Sequence, residues 1–161
     1  MNHPRWLTPE QLHSWIRLVS VLELLPGVLD SQLQRDAELT HFEYFTLARL
    51  SEAPERTLRM TALSAATNAS LARLSHVMAR LEQREFVTRI PCREDRRATN
   101  ASLTEVGWRK VVGSAPGHVA TVRDSVIDVL DAKDVADLDR IMGRILSGLD
   151  PTNRLRGWGA E

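Results

Sequence analysis

Between Met60 and Leu103 the spacing of apolar residues changes once, from helical to strand-like, and few folds accommodate that order. Thr57-Leu58-Arg59-Met60 reads as a short extended piece. Thr61 can cap a helix that runs through Leu63 to about Ala66. Thr67-Asn68-Ala69 is a tight turn, and Ser70 caps a further helix carrying Leu71, Leu74, Val77, Met78 and Leu81. Phe86-Val87-Thr88-Arg89-Ile90 then reads as a strand, Pro91 to Arg97 as a polar turn with five charges, and Thr99 to Leu103 as the returning strand. Two short helices on a tight turn, followed by a β-hairpin, make a winged helix-turn-helix.

The flanks are helical. Thr8-Pro9-Glu10-Gln11 is a helix start, with Thr8 as cap, Pro9 at the first position and Gln11 closing a capping box. Trp15, Leu18, Leu22, Leu25, Leu29 and Leu33 follow at helical spacing, with a kink expected at Pro26-Gly27. Thr40 opens a second helix with Glu43 at its third position, which ends near Ser51-Glu52-Ala53-Pro54. Thr104-Glu105-Val106-Gly107 starts a long helix that Pro116-Gly117 should kink, and Asp131 caps a last helix with its apolar stripe from Leu138 to Leu149. The expected fold is mainly α with a small β-hairpin wing: a winged helix-turn-helix plus a helical dimerisation lobe. Residues 1–150 form one domain, in which 7–36 and 118–149 make the dimerisation lobe and 40–110 the DNA-binding lobe. Residues 151–161 are expected to be a flexible tail.

The chain is neutral overall, yet its charge is unevenly placed. Arg56 to Lys110 holds eleven basic and five acidic residues, a balance of +6 that the remainder offsets. Such asymmetry indicates a basic lobe that meets a polyanion, attached to an acidic lobe that does not. The single cysteine, Cys92, excludes an internal disulfide framework and a multi-cysteine zinc site. No apolar run is expected to approach the roughly 20 residues that span a bilayer. Met-Asn-His-Pro-Arg-Trp lacks a signal-peptide pattern, so a cytoplasmic location is expected.

A recognition helix places small or hydrogen-bonding side chains outward near its N-terminus, where base edges in the major groove are distinguishable. Ser70, Ala72, Arg73, Ser75 and His76 lie there, with Leu71, Leu74, Val77 and Met78 available for the inner face. Arg80 and Arg84 lie lower, placed for phosphate contacts or local ion pairs. The hairpin tip Arg93-Glu94-Asp95-Arg96-Arg97 is too polar for a core turn, and a cationic tip beside a recognition helix can reach the minor groove. The plain alternatives are a solvated turn and an exposed helix face.

In these motifs the chain resembles the MarR family of bacterial regulators, from about Trp6 to Leu149. The resemblance rests on Leu63-Ser64-Ala65-Ala66-Thr67-Asn68-Ala69-Ser70, Arg80-Leu81-Glu82, Asp95-Arg96-Arg97 and Leu103-Thr104-Glu105-Val106-Gly107. It implies that Ser70 to Arg84 reads the major groove, Arg97 enters the minor groove, Asp95 helps hold the wing, and the terminal helices interlock in a homodimer. It implies double-stranded DNA as partner, and often a small aromatic or phenolic ligand between the lobes. His13, Arg17, His41, Tyr44 and Trp108 are the candidates to line such a cleft. Glu85 departs from the family pattern, standing where a glycine usually closes the helix in the left-handed conformation.

Chemistry of other kinds finds little footing. There is no Gly-rich phosphate loop, no Gly-x-Ser-x-Gly elbow and no nucleophile with an evident base, so no enzyme and no cofactor are expected. His3, His13, His41, His76 and His118 form no His-x-x-x-His pair, so no metal site is expected. Cys92 reads as incidental at the wing base. The alternative from another class is a winged-helix protein-interaction module without DNA binding.

Overall fold

In the computed structural model, which describes residues 4–92, 95 and 97–155, local capping sets most helix starts. Helix α1 spans Pro9–Ala37. The Thr8 hydroxyl accepts the Gln11 N–H at 3.3 Å, and the Gln11 side chain accepts the Thr8 N–H at 3.0 Å. The helix continues through Pro26 and closes on Glu38 in the left-handed conformation (φ 51°). Helix α2, His41–Glu52, begins with the same reciprocal box between Thr40 and Glu43. A 3₁₀ turn at Pro54–Arg56 leads to strand β1, Thr57–Arg59. Helices α3, Met60–Ala66, and α4, Leu71–Gln83, follow. Strands β2, Val87–Pro91, and β3, Thr99–Leu103, then lead into α5, Glu105–Val122, which continues through Pro116 into one π-helical turn at Arg123–Ile127. Asp131 caps α6, Ala132–Leu149, in a box with Asp134.

The three strands form one antiparallel sheet in the order β1-β3-β2. Thr57 pairs with Ser102, their hydroxyls 2.8 Å apart, and Val87 pairs with Leu103. The fold is therefore mostly helical with a small hairpin sheet. Leu47, Leu50, Leu63, Leu74, Met78, Leu81 and Ala101 are sealed from solvent, so the core lies between α2, α3, α4 and the sheet. Leu33 and Val111 close it from α1 and α5. Each buried leucine contributes about 1.5–3 kcal/mol by leaving water.

The terminal helices are packed differently. No residue of α6 is buried, and Ile141, Met142, Ile145 and Leu149 stay exposed. The first half of α1 shows Trp15, Ile16, Val21 and Leu22 to solvent. An 18-residue window of α1 reaches mean hydropathy 1.3, long and apolar enough to cross a membrane by length and composition. Arg17 and Glu23 interrupt its apolar residues, so it holds no uninterrupted apolar run of the length that spans a bilayer. After α6, Pro151 to Leu155 turn back so that the Leu155 N–H reaches the Asp150 carboxylate at 2.8 Å.

Candidate nucleic-acid interface

The turn between α3 and α4 is built from its own side chains. The Thr67 hydroxyl donates to the Leu63 carbonyl (2.7 Å) and the Ser64 hydroxyl to the Ala69 carbonyl (2.6 Å), while Asn68 takes a left-handed φ of 48°. Asparagine tolerates that conformation because its short polar side chain bonds locally. The helix before the turn starts two residues earlier than the sequence indicates. Arg59 is the cap position of α3, without a side-chain cap bond, and Thr61 lies inside the helix. Ser70 does cap α4, its hydroxyl accepting the Arg73 N–H at 3.2 Å.

Leu74, Val77, Met78 and Leu81 turn α4 onto the core. Leu71, expected to face inward, is 48% exposed, because it sits one turn above that stripe where the core has ended. The opposite face carries Ser70, Ala72, Arg73, Ser75 and His76, all exposed. The Arg73 guanidinium lies over the Phe42 ring at 4.2 Å. Such stacking is worth about 0.5–1 kcal/mol at an exposed site, so it orients the side chain without locking it. Arg80 and Arg84 are engaged within the protein. Arg80 donates to the buried Glu43 carboxylate at 2.8 Å, and Arg84 donates to the Glu38 carbonyl at 2.8 Å and lies over Phe86. Glu43 thus closes the α2 cap with one oxygen and holds α4 with the other.

The hairpin is tied to α4 by a pair that sequence reasoning left without a role. Arg89 gives Glu82 a fork of bonds from Nη2 and Nε, at 2.7 and 3.0 Å, and its backbone N–H adds a third at 3.0 Å. The Glu82 carboxyl is held below the usual range chiefly by the Arg89 side chain. At the tip, Asp95 holds the turn through the backbone. Its carboxylate accepts the Arg97 N–H at 3.0 Å, its carbonyl accepts the Ala98 N–H at 2.9 Å, and Cys92 N–H reaches the Ala98 carbonyl at 2.8 Å. Arg97 is exposed, and with Arg59, Leu71, Ser75 and Arg89 it lines a cleft of about 240 Å³ between α4 and the hairpin. Arg96, with Arg93 and Glu94, lies outside the described residues.

Glu85 and the Leu103–Gly107 motif set the angle of the hairpin. Glu85 takes the left-handed seat itself (φ 59°), and the Phe86 N–H bonds the Leu81 carbonyl while the Glu85 N–H bonds that of Glu82. That is the Schellman closure a glycine usually makes, kept at a cost of about 1 kcal/mol. Thr104 then caps α5 and donates its hydroxyl to the Glu85 carbonyl at 2.6 Å. Gly107 is required by the contact: a Cβ there would stand 2.1 Å from the Phe86 carbonyl oxygen and 2.7 Å from Leu103.

The five residues expected to share a ligand cleft do not meet in the protomer. His41 and Tyr44 do come together, but around His118 of α5, which nothing in the sequence singled out. The His118 ring is stacked 6.1 Å from His41 and lies 4.7 Å from Tyr44. Asp30 accepts the His41 backbone N–H at 2.7 Å. At 1.5 Å rise per residue, His13 and Arg17 lie about 25 and 20 Å along α1 from Asp30, and both are exposed. Trp108 is elsewhere on α5, beneath the Arg56 guanidinium at 4.0 Å. Burial pushes His41 and His118 below the ordinary imidazole range and raises Tyr44. Among the described residues no group of three or more His, Cys, Asp or Glu side chains could hold a metal.

The model of the MarR family matches residues 39–99. A MarR family transcriptional regulator from Streptomyces coelicolor, solved in complex with DNA, is 41% identical with a TM-score of 0.88, over 94% of this chain and 95% of that one. AbsC, a MarR family transcriptional regulator from the same organism, is 38% identical with a TM-score of 0.86, over 92% of this chain and 100% of its own. A mutant MarR from E. coli complexed with operator DNA shares the fold at 20% identity, with a TM-score of 0.71 over 81% of this chain and 91% of that one.

Proposed function

The chain belongs to the MarR family of transcriptional regulators, a family of regulators and not of enzymes, and we propose that it binds a pseudo-palindromic operator as a homodimer and represses transcription until a small ligand releases it. The observation that carries this reading is the exposed row Ser70, Ala72, Arg73, Ser75 and His76 on α4, set beside Arg97 with an open cleft between. Ser70 to His76 faces the major groove, Arg97 the neighbouring minor groove, and Asp95 keeps the tip in shape. Arg80 and Arg84 fix α4 within the lobe while leaving part of their charge toward phosphate. Arg96, next to Arg97 in the sequence, adds a further positive charge. A cytoplasmic location follows from that role.

The dimer reading rests on the uncovered apolar surface of α1 and α6, which a second copy related by a two-fold axis would bury. The helical parts 7–36 and 118–149 then form the dimerisation lobe, and 40–110 the DNA-binding lobe. The releasing ligand is a small aromatic or phenolic compound held near His41 and Tyr44, between the two lobes. Footprinting on the DNA upstream of its gene tests the assembly. Protection should show two-fold symmetry, with half-sites about one helical turn apart, and light scattering should give about twice the 18.1 kDa chain mass. A monomer protecting one asymmetric half-site contradicts it, and a dimer that ignores DNA makes the fold a protein-interaction module.

A further inference from the structure

His41 and His118 stack where three elements converge. His41 is the first residue of α2, His118 lies on α5, and the Asp30 carboxylate of α1 accepts the His41 backbone N–H at 2.7 Å. His118 is 8% exposed, and its Nδ1 is buried without a hydrogen-bond partner. The Tyr44 ring closes on it from α2 at 4.7 Å, and Phe45 lies 6.5 Å from His41. On the other side of His118, where α1 meets α5, the packing is tight: the Gln32 amide of α1 would be only 3.1 Å from a Cβ at Gly117. Two imidazoles in such a place pack well while both are neutral. A proton on either one puts a cation against the other ring, and a proton on Nδ1 of His118 creates a buried donor with nothing to receive it.

We infer that protonation of the stacked His41–His118 pair loosens the α2–α5 seam and weakens DNA binding, making the protein a pH-responsive regulator. The route to α4 is short. Helix α2 that carries His41 also carries Glu43, and Glu43 holds Arg80 of α4 at 2.8 Å. A shift of α2 away from α5 therefore moves the seat of the helix that faces DNA. This rests on the DNA-binding reading above and adds a regulator of it, the proton.

The neighbouring charges act on this pair from every side. From α1, Asp30 favours the charged form of His41. Asp36, near Gly117, is occupied by Arg35 and by the Gln32 amide. From α2, Glu43 is engaged with Arg80, and Tyr44 stays neutral because burial raises it. The balance still favours neutral rings. Burial lowers His41 despite Asp30, and lowers His118 with His41 adding to it. The stability conferred by the neutral pair is thus present above the unfolded-chain value of about 6.5, and is lost progressively as pH falls from there through the folded values.

The test uses the full chain, a fluorescent duplex of the DNA upstream of its gene, and buffers of pH 7.5 and 5.5 at fixed ionic strength. Wild type should lose about tenfold in affinity at the lower pH. The double variant His41→Phe, His118→Phe, which keeps two rings but no titrating nitrogen, should change less than twofold. Each single variant should fall between, and covers the case in which the double variant does not fold. Melting curves at both pH values give an arm without DNA, in which wild type should lose more stability on acidification than the variant. Equal affinity of wild type at the two pH values, or a variant that follows wild type in both arms, overturns the switch. Absence of binding at pH 7.5 instead overturns the DNA-binding reading, and the melting arm then still decides whether the pair titrates as described.

Discussion

Arg73 and Arg97 are both exposed, yet their surroundings give them different work. Arg73 is one turn or less into α4 and lies over Phe42, which aims a planar fork beside the outward row. Arg73→Ala should cost about 1–3 kcal/mol of DNA affinity and relax preference at one base position per half-site. Arg97 sits where Asp95 fixes the backbone, with no carboxylate partner for its guanidinium among the described residues. Arg97→Ala should weaken binding to all operators, most of all those with A·T-rich flanks, and reduce the salt dependence. Titrating each variant against operators altered at central and flanking bases separates the two patterns, with a melting curve as control. Gly107 offers a test of the fold at the same scale. Gly107→Ala pushes a methyl group into the Phe86 carbonyl, a backbone atom that cannot step aside, and should lower stability by about 1–3 kcal/mol or more. Wild-type melting behaviour in that variant would show that α5 is not seated as described.

Elements are held to one another by contacts that the sequence reveals unequally. Thr8, Thr40, Ser70 and Asp131 were legible as caps because a cap bonds only three residues ahead. Thr61 misled because the extended Arg59 supplies the start without a capping side chain. The ties between elements were not legible. Arg80 to Glu43 spans 37 residues, and His118 meets His41 and Tyr44 only once α5 lies on α2. The proposed ligand residues were scattered for the same reason, since composition does not say that α1 continues unbroken from Pro9 to Ala37 and carries His13 away from Asp30. Glu82 shows what such ties do. It is half of a fork that pins β2 to α4, both partners being only partly buried. Glu82→Gln leaves the size of the side chain but removes the charge that makes the fork strong. Hydrogen exchange of β2 amides should quicken while those of α2 stay slow, and unchanged exchange in β2 would mean the hairpin is held by its own ladder.

At the scale of the whole molecule, a neutral chain carries a basic centre between acidic ends, and the fold gathers that centre into one lobe. A uniform surface of zero net charge would have little hold on a polyanion, whereas a lobe of +6 has such a hold, and the proposed dimer would present two of them to one duplex. Each phosphate neutralised releases counterions, so affinity should fall with salt at a log–log slope of about −0.9 per contact. Titrating the full chain into the duplex from upstream of its gene, at salt concentrations from about 50 to 200 mM, tests the central claim most directly. The account predicts tight binding at low salt and a linear fall steep enough to require several phosphate contacts from each lobe. Binding indifferent to salt, or none at the lowest salt, would contradict it.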